Sequence, residues 1–235
     1  MAKAAKRLGE PERSATDHAY NGIIELVLHH ALRPGERTSL NLLADRLDIG
    51  RTPVKEAVTR LQTEGLLSVA GRSGTMVNIV DLKQAEDVFA LRKVLEDFAA
   101  EEAVKRATDE QIANVKRLAQ EMRRYSFRDG LQSTANFLRA NTQFHSHIVA
   151  ASGNELLLRV YTQVQMQMQI VTYVVWHDYD PRAAERRQAE HEEIADALVQ
   201  RDGKKLKAAL RAHAQAAEKI ILAKLSARQR PLSLV

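Results

Sequence analysis

Four side chains in the second half of the chain could carry chemistry, Asn141, His145, His191 and His213, and the three histidines could hold a metal ion. Asn141 and His145 are four apart, so a helix would put them on one face. His191 follows in Ala189-Glu190-His191-Glu192-Glu193-Ile194, and His213 in Leu210-Arg211-Ala212-His213. All three histidines sit mid-helix by pattern, and facing helices of a bundle can build a metal site from such residues. Three neutral imidazoles suit zinc, nickel, copper, iron or cobalt and leave a position for water or a ligand. On the residues alone, the alternative is three unrelated surface or capping histidines. That is the role expected of His29, His30, His147 and His177. Gln163 and Gln167 share a helix face and could line a cavity beside such a site.

A second chemistry is written into Gly50 to Leu67. Thr52 can cap a helix there, and Pro53 suits its first turn. Val54, Ala57, Val58 and Leu61 fall on one face, with Arg51, Lys55 and Thr59 on the other. Gly65 can end the helix in a left-handed conformation. A short helix with a basic, hydroxyl-bearing leading end fits a DNA major groove; on this helix alone the alternative is a solvated amphipathic helix, and the flanking sequence decides. Arg60, halfway along, reads as a salt-bridging surface residue.

The elements that must position these residues follow from the pattern. A helix is expected from Thr16 or Asp17 to about Leu32, stopped by Arg33-Pro34-Gly35. A second, capped by Ser39, turns Leu40, Leu43, Ala44 and Leu47 inward, and Asp48-Ile49-Gly50 is a tight turn into the third. Leu66 to Val69 and Thr75 to Val80 read as strands around Ala70-Gly71-Arg72-Ser73-Gly74, a hairpin that puts Arg72 near phosphate. Asp81 is a hinge or cap. Beyond it, six helices are expected near 82–106, 109–126, 130–151, 154–177, 181–201 and 203–226. Their short breaks favour an antiparallel bundle. Gln163 to Trp176 has strand-like composition but reads as helix, because a lone strand would lack a partner there.

The fold class is therefore mainly α: a winged helix-turn-helix followed by an all-helical bundle. Residues 1–15 are expected to be a flexible arm, 16–80 the winged helix-turn-helix domain and 82–228 the helical bundle, to which the family resemblance described below gives an effector-binding and dimerisation role. The chain has 235 residues, a net charge of +5 and 45% hydrophobic residues. That composition supports a real core and lends modest support to a polyanion partner. It has no cysteine, so disulfides, thiolate metal sites and cysteine nucleophiles are excluded. The apolar runs are too short to span a bilayer, and Met1 to Glu10 lacks the apolar stretch of a secretory signal. A cytoplasmic location, with no membrane partner, is the expectation.

Several residues in order resemble the DNA-binding domain of GntR-type bacterial transcription regulators. They run from Pro34-Gly35 through Leu40, Leu43-Ala44, Leu47 and Ile49 to Arg51-Thr52-Pro53-Val54-Lys55-Glu56-Ala57. Arg60-Leu61, Glu64-Gly65-Leu66, Arg72, Gly74 and Val77 continue the series. The resemblance implies DNA contacts from Asn41, Arg51, Thr52, Lys55, Arg72 and Gly74. Gly50 stands where the family usually has serine, Lys55 where arginine is commoner, and Asn41 where a charged residue is frequent.

The later stretch resembles the FadR subgroup's effector domain, the FCD domain, in its shorter VanR-like form. The matching residues are Asn141-Thr142-Gln143-Phe144-His145, Ile148, Ser152-Gly153-Asn154, Glu190-His191, Ile194, Ala197-Leu198, Asp202-Gly203 and His213. That resemblance implies a divalent metal, zinc or nickel foremost, on Asn141, His145, His191 and His213. It also implies a small carboxylate effector held with the metal's help, Arg92 pairing with the carboxylate. Asn141 replaces the family's aspartate and brings no charge.

Together these readings imply a ligand-responsive regulator, not an enzyme, that binds a palindromic operator as a homodimer. Two alternatives stay open on the sequence. One is a metal-dependent helical-bundle enzyme with a fused head, although His191-Glu192-Glu193-Ile194-Ala195 lacks the second histidine of a His-Glu-x-x-His motif. The other is an effector-independent DNA-binding protein.

Overall fold

The computed structural model describes residues 14–28, 31–69, 74–79, 81–125, 131–175 and 181–229. Residues 1–13 of the expected arm, and the hairpin tip with Arg72, lie outside the described residues. The chain divides into two compact units, Met1–Asn78 and Ile79–Val235.

The first unit is three helices and a small sheet. Helix α1 spans Ala15–Leu28, α2 Leu40–Leu47 and α3 Arg51–Thr63. The first helix is shorter than its apolar pattern, which ran to Leu32; Leu32 is nonetheless buried and its N–H reaches the Leu26 carbonyl at 2.9 Å. Ser39 caps α2, accepting the Leu42 N–H at 3.1 Å. The turn between α2 and α3 is made by Asp48 in the left-handed region, φ 52°. Asp tolerates that conformation better than most residues, and it sends the chain sharply into α3.

Thr52 does not cap α3. The cap position is Gly50, with no side-chain hydrogen bond, and the helix has already begun at Arg51. Thr52 therefore lies inside the first turn, where its hydroxyl has no orphan N–H ahead of it to accept. Val54, Ala57, Val58 and Leu61 are buried, so the apolar face is as the spacing predicts.

Helices α1 and α3 are tied by polar pairs along their seam. Thr16 Oγ1 donates to Glu56 Oε2 at 2.6 Å and Tyr20 Oη to Glu64 Oε2 at 2.7 Å. Arg60 bonds Glu64 at 3.1 Å, approaches Asp17 at 3.6 Å and lies over the Tyr20 ring.

The sheet has the order β1-β3-β2, with β1 Arg37–Thr38, β2 Leu67–Val69 and β3 Thr75–Val77. Strand β1 is not in the sequence reading, because two residues carry no alternation. Its pairing with β3, Arg37 opposite Met76 and Thr38 opposite Thr75, makes β3 the central strand. Gly74 enters β3 with φ +85°, and a Cβ there would stand 2.7 Å from the Thr38 carbonyl oxygen. Both facts demand glycine.

Among the described residues the second unit is a bundle of six helices: α4 Leu82–Arg106, α5 Asp109–Met122, α6 Leu131–Ala150, α7 Glu155–Val175, α8 Pro181–Val199 and α9 Gly203–Gln229. The stretch with strand-like composition is helical to Val175. Capping boxes at Asp81 and Thr108 start α4 and α5. Helix α4 packs on α9 and α7, α5 on α6 and α8, and α8 on α9. Arg201 closes the far end of α4, donating to the Val104 and Ala107 carbonyls at 3.2 and 2.9 Å. The inner faces of α4, α6, α7, α8 and α9 enclose the candidate metal residues.

Candidate functional site

On the first unit, Arg51, Thr52 and Lys55 are exposed at the leading end of α3, and Asn41 is exposed on α2. Among the described residues, neither the Arg51 nor the Lys55 side chain has a hydrogen bond or ion pair; the Lys55 carbonyl accepts from Thr59 Oγ1 at 3.0 Å. The two side chains are cations left to solvent, which is the electrostatic condition for meeting phosphate or base edges. Arg60, by contrast, spends its charge on Asp17 and Glu64. Gly74 lies at the base of the hairpin.

In the bundle, α6, α8 and α9 bring His145, His191 and His213 together, all buried. One ring nitrogen from each lies within 4.8 Å of the others. The ring centroids are 4.5 Å apart for His191 and His213, 5.1 Å for His145 and His213, and 5.6 Å for His145 and His191. Asn141 joins them, its Oδ1 at 2.8 Å from His191 Nε2. That separation is a hydrogen bond, shorter than the roughly 3.4 Å between donors on a tetrahedral metal with bonds of about 2.1 Å, so the two groups would part slightly to share an ion.

The outer partners of these rings are acidic. Glu190 Oε2 sits 2.8 Å from His213 Nδ1, and Glu96 Oε1 sits 3.2 Å from His145 Nδ1. A carboxylate on one ring nitrogen fixes the tautomer that presents the other. His191 Nδ1 is buried without a hydrogen-bond partner.

Burial keeps the three rings neutral. It pushes His145 down to about 4, with the Arg92 guanidinium adding to the effect. His191 and His213 are pushed well below the ordinary imidazole value by burial and by the neighbouring histidine. Burial by itself would raise the Glu96 carboxyl, but Arg92, His145 and the Tyr161 hydroxyl outweigh it and hold it at about 2. Neutral imidazoles and an amide oxygen form a donor set that fits a divalent transition metal.

Arg92 enters the same centre from α4. Its Nε donates to Glu96 Oε1 at 2.9 Å, and its Nη2 stands 3.2 and 3.0 Å from His145 Nδ1 and Nε2. Tyr161 Oη donates to the same Glu96 oxygen at 2.5 Å, and Gln165 Nε2 donates to Tyr161 Oη at 3.0 Å. A metal on His145 Nε2 requires that guanidinium to draw back toward the cavity next to it.

That cavity is small, about 30 Å³, with room for about two waters. Its polar wall comprises Arg92, Asn141, Thr142, Gln165, Gln169 and Arg187. Gln163 and Gln167 do not line it. Gln163 is exposed, and the glutamines facing the cavity are Gln165 and Gln169, two positions on. The Gln-Met-Gln-Met alternation offers both pairs, and the packing of Tyr161, Val164 and Met168 selects the second. Glu96, Tyr161 and Arg187 have no site role in the sequence reading, and Glu190 enters it only as the neighbour of His191. Of these only Glu96 carried a local signal, standing four residues after Arg92.

Comparison with known proteins places both units. The family described as bacterial regulatory proteins, gntR family, matches residues 15–77, and the FCD domain matches residues 87–216. The chain is 30% identical over 190 residues to the Nta operon transcriptional regulator of Aminobacter aminovorans, covering 81% of this chain and 86% of that protein. It is 26% identical over 215 residues to the HTH-type transcriptional regulator LutR of Bacillus subtilis, covering 83% and 96%. Among solved structures, Escherichia coli McbR/YncC superposes with a TM-score of 0.76 at 23% identity, over 93% of this chain and all 100% of that one. The metal-free FCD domain of another regulator gives a TM-score of 0.52 at 18% identity, over 64% and 99%. At these identities the two structures speak for the fold alone.

Proposed function

The chain belongs to the gntR family of bacterial regulatory proteins and carries an FCD domain, and on that premise we propose how its two units divide the work. It is a DNA-binding, ligand-responsive transcriptional regulator. Its relatives are named as regulators and its domains are regulatory, so the enzyme reading falls. Among the described residues no helix is long and apolar enough to cross a membrane, and we assign the protein to the cytoplasm beside its DNA.

The head reads a palindromic operator. Arg51 offers a guanidinium to guanine O6 and N7, while Thr52, Lys55 and Asn41 contact neighbouring bases and phosphates. The hairpin residues Arg72 and Gly74 approach the backbone. Two heads are presented by a homodimer. Exposed Leu91, Val94 and Phe98 on α4, with Leu156 and Val160 on the adjoining α7, support an interface with a second copy of this chain.

The bundle holds a divalent metal, zinc or nickel, on His145, His191, His213 and Asn141. When bound, the metal supplies positive charge and an open position for a ligand oxygen. Arg92 pairs with the carboxylate of a small organic acid in the adjoining cavity, and Glu96 and Glu190 orient the His145 and His213 rings. The effector changes DNA affinity only to the extent that it favours one arrangement of the dimer over another.

The observation carrying this reading is the convergence of three buried, neutral histidines beside a cavity that contains Arg92. Metal analysis of protein purified without chelator should find about one divalent ion per chain. A His145→Ala/His191→Ala double variant should contain none. Equal metal content in the two proteins overturns the site.

A further inference from the structure

We propose that the bundle's effector is a dianion with two separated charged ends, a small dicarboxylate, and that Arg187 binds its second carboxylate. This rests on the organic-acid reading of the same cavity and narrows its ligand class.

Arg187 comes from α8 and Arg92 from α4, and both line the cavity. The two arginines differ in how they are satisfied. Arg92 has its Nε on Glu96. Arg187 Nε is buried and has no hydrogen-bond partner. A guanidinium N–H enclosed away from water without an acceptor is costly, and a carboxylate is the acceptor whose geometry matches the fork.

The charge balance points the same way. Arg92 and Arg187 contribute two positive charges, and Glu96 and Glu190, behind the cavity and the histidines, contribute two negative ones. The metal-ligating imidazoles are neutral and Asn141 is an amide, so the ligand shell adds nothing. A bound divalent ion then leaves two positive charges uncompensated in a largely buried space. A monocarboxylate cancels one of them, and a dicarboxylate cancels both. Gln165, Gln169 and Thr142 supply the neutral polar contacts between the charged ends. The cavity as it stands has room for about two waters, so even a four-carbon diacid enters only as the Arg92 and Arg187 side chains draw apart, which favours the shortest diacids.

The test is calorimetric titration of the zinc-loaded protein with succinate and glutarate, and with butyrate and valerate as length-matched monoacids. The dicarboxylates should bind at least about tenfold more tightly. Arg187→Gln should bring the ratio near one while leaving butyrate affinity within about twofold. Asn141→Asp adds the missing negative charge to the shell and should lower the ratio without touching either arginine. Inorganic phosphate, with its charge on one centre, should bind more weakly than succinate. Equal binding of both series, a ratio indifferent to Arg187→Gln, or phosphate binding above succinate overturns the dicarboxylate assignment and leaves the organic-acid reading standing. If no acid of either series binds, both fail together.

Discussion

The same side chain does opposite work in the two units. Arg51 stands at the exposed end of α3 with no partner among the described residues, whereas Arg92 is 4% exposed and held by Glu96 and His145. Water stabilises the charge on Arg51, so the residue is free to exchange hydration for a phosphate or a base. Arg92 has lost its water, so the cost of its buried charge is offset by the Glu96 anion at 2.9 Å. A surface that must find an external partner keeps its cations loose; an interior that must respond to a ligand keeps them paired and close to alternatives. Arg60 lies between these limits, half exposed, with two carboxylates and a tyrosine ring around it.

Three substitutions measure how deep that contrast runs. Glu96→Ala strips the counter-ion from a buried guanidinium and should cost about 3–5 kcal/mol of bundle stability in urea unfolding. A loss below about 1 kcal/mol would mean water or another anion already reaches Arg92, and the contrast would collapse. Arg51→Ala should leave the unfolding curve unchanged and weaken operator binding by about 1–3 kcal/mol. A stability loss without a binding loss would make Arg51 a structural residue like Arg60. Arg60→Ala should cost about 0.5–1 kcal/mol of head stability through the lost ion pairs and stacking, with little effect on operator affinity once folding is accounted for. Operator binding that falls as steeply as for Arg51→Ala would move Arg60 into the DNA interface.

The sequence made the two units unequally legible. Helix faces were readable wherever burial follows a single stripe: Val54, Ala57, Val58 and Leu61 in α3 are the case in point. The four-residue spacing of Asn141 and His145 placed two donors on one face before any fold was known. What could not be read were contacts made across helices. Glu190 reaches His213 over 23 positions and Tyr161 reaches Glu96 over 65, and nothing local distinguishes either from an ordinary helical residue. In α7 the alternating glutamines left two faces equally polar, and only the neighbours of Tyr161 and Met168 decided between them. Strand β1 escaped because a two-residue strand is defined by its partner. Thr52 is not the cap because the cap lies two positions earlier, at Gly50, directly after the turn made by Asp48 and Ile49.

That pairing of β1 with β3 also determines where this head can be exchanged between regulators. The central strand comes last in the unit, so its first and last segments are stitched to each other, and Asn78 fastens the seam through its N–H to Leu66 and its amide to Gly65. A recombination joint inside the hairpin would hand β3 to one parent and both of its neighbours to the other, mismatching the cross-strand side-chain pairs of both pairings at once. A joint after Asn78 transfers the reader whole. Shuffled regulators that remain folded should therefore carry their crossovers beyond that asparagine.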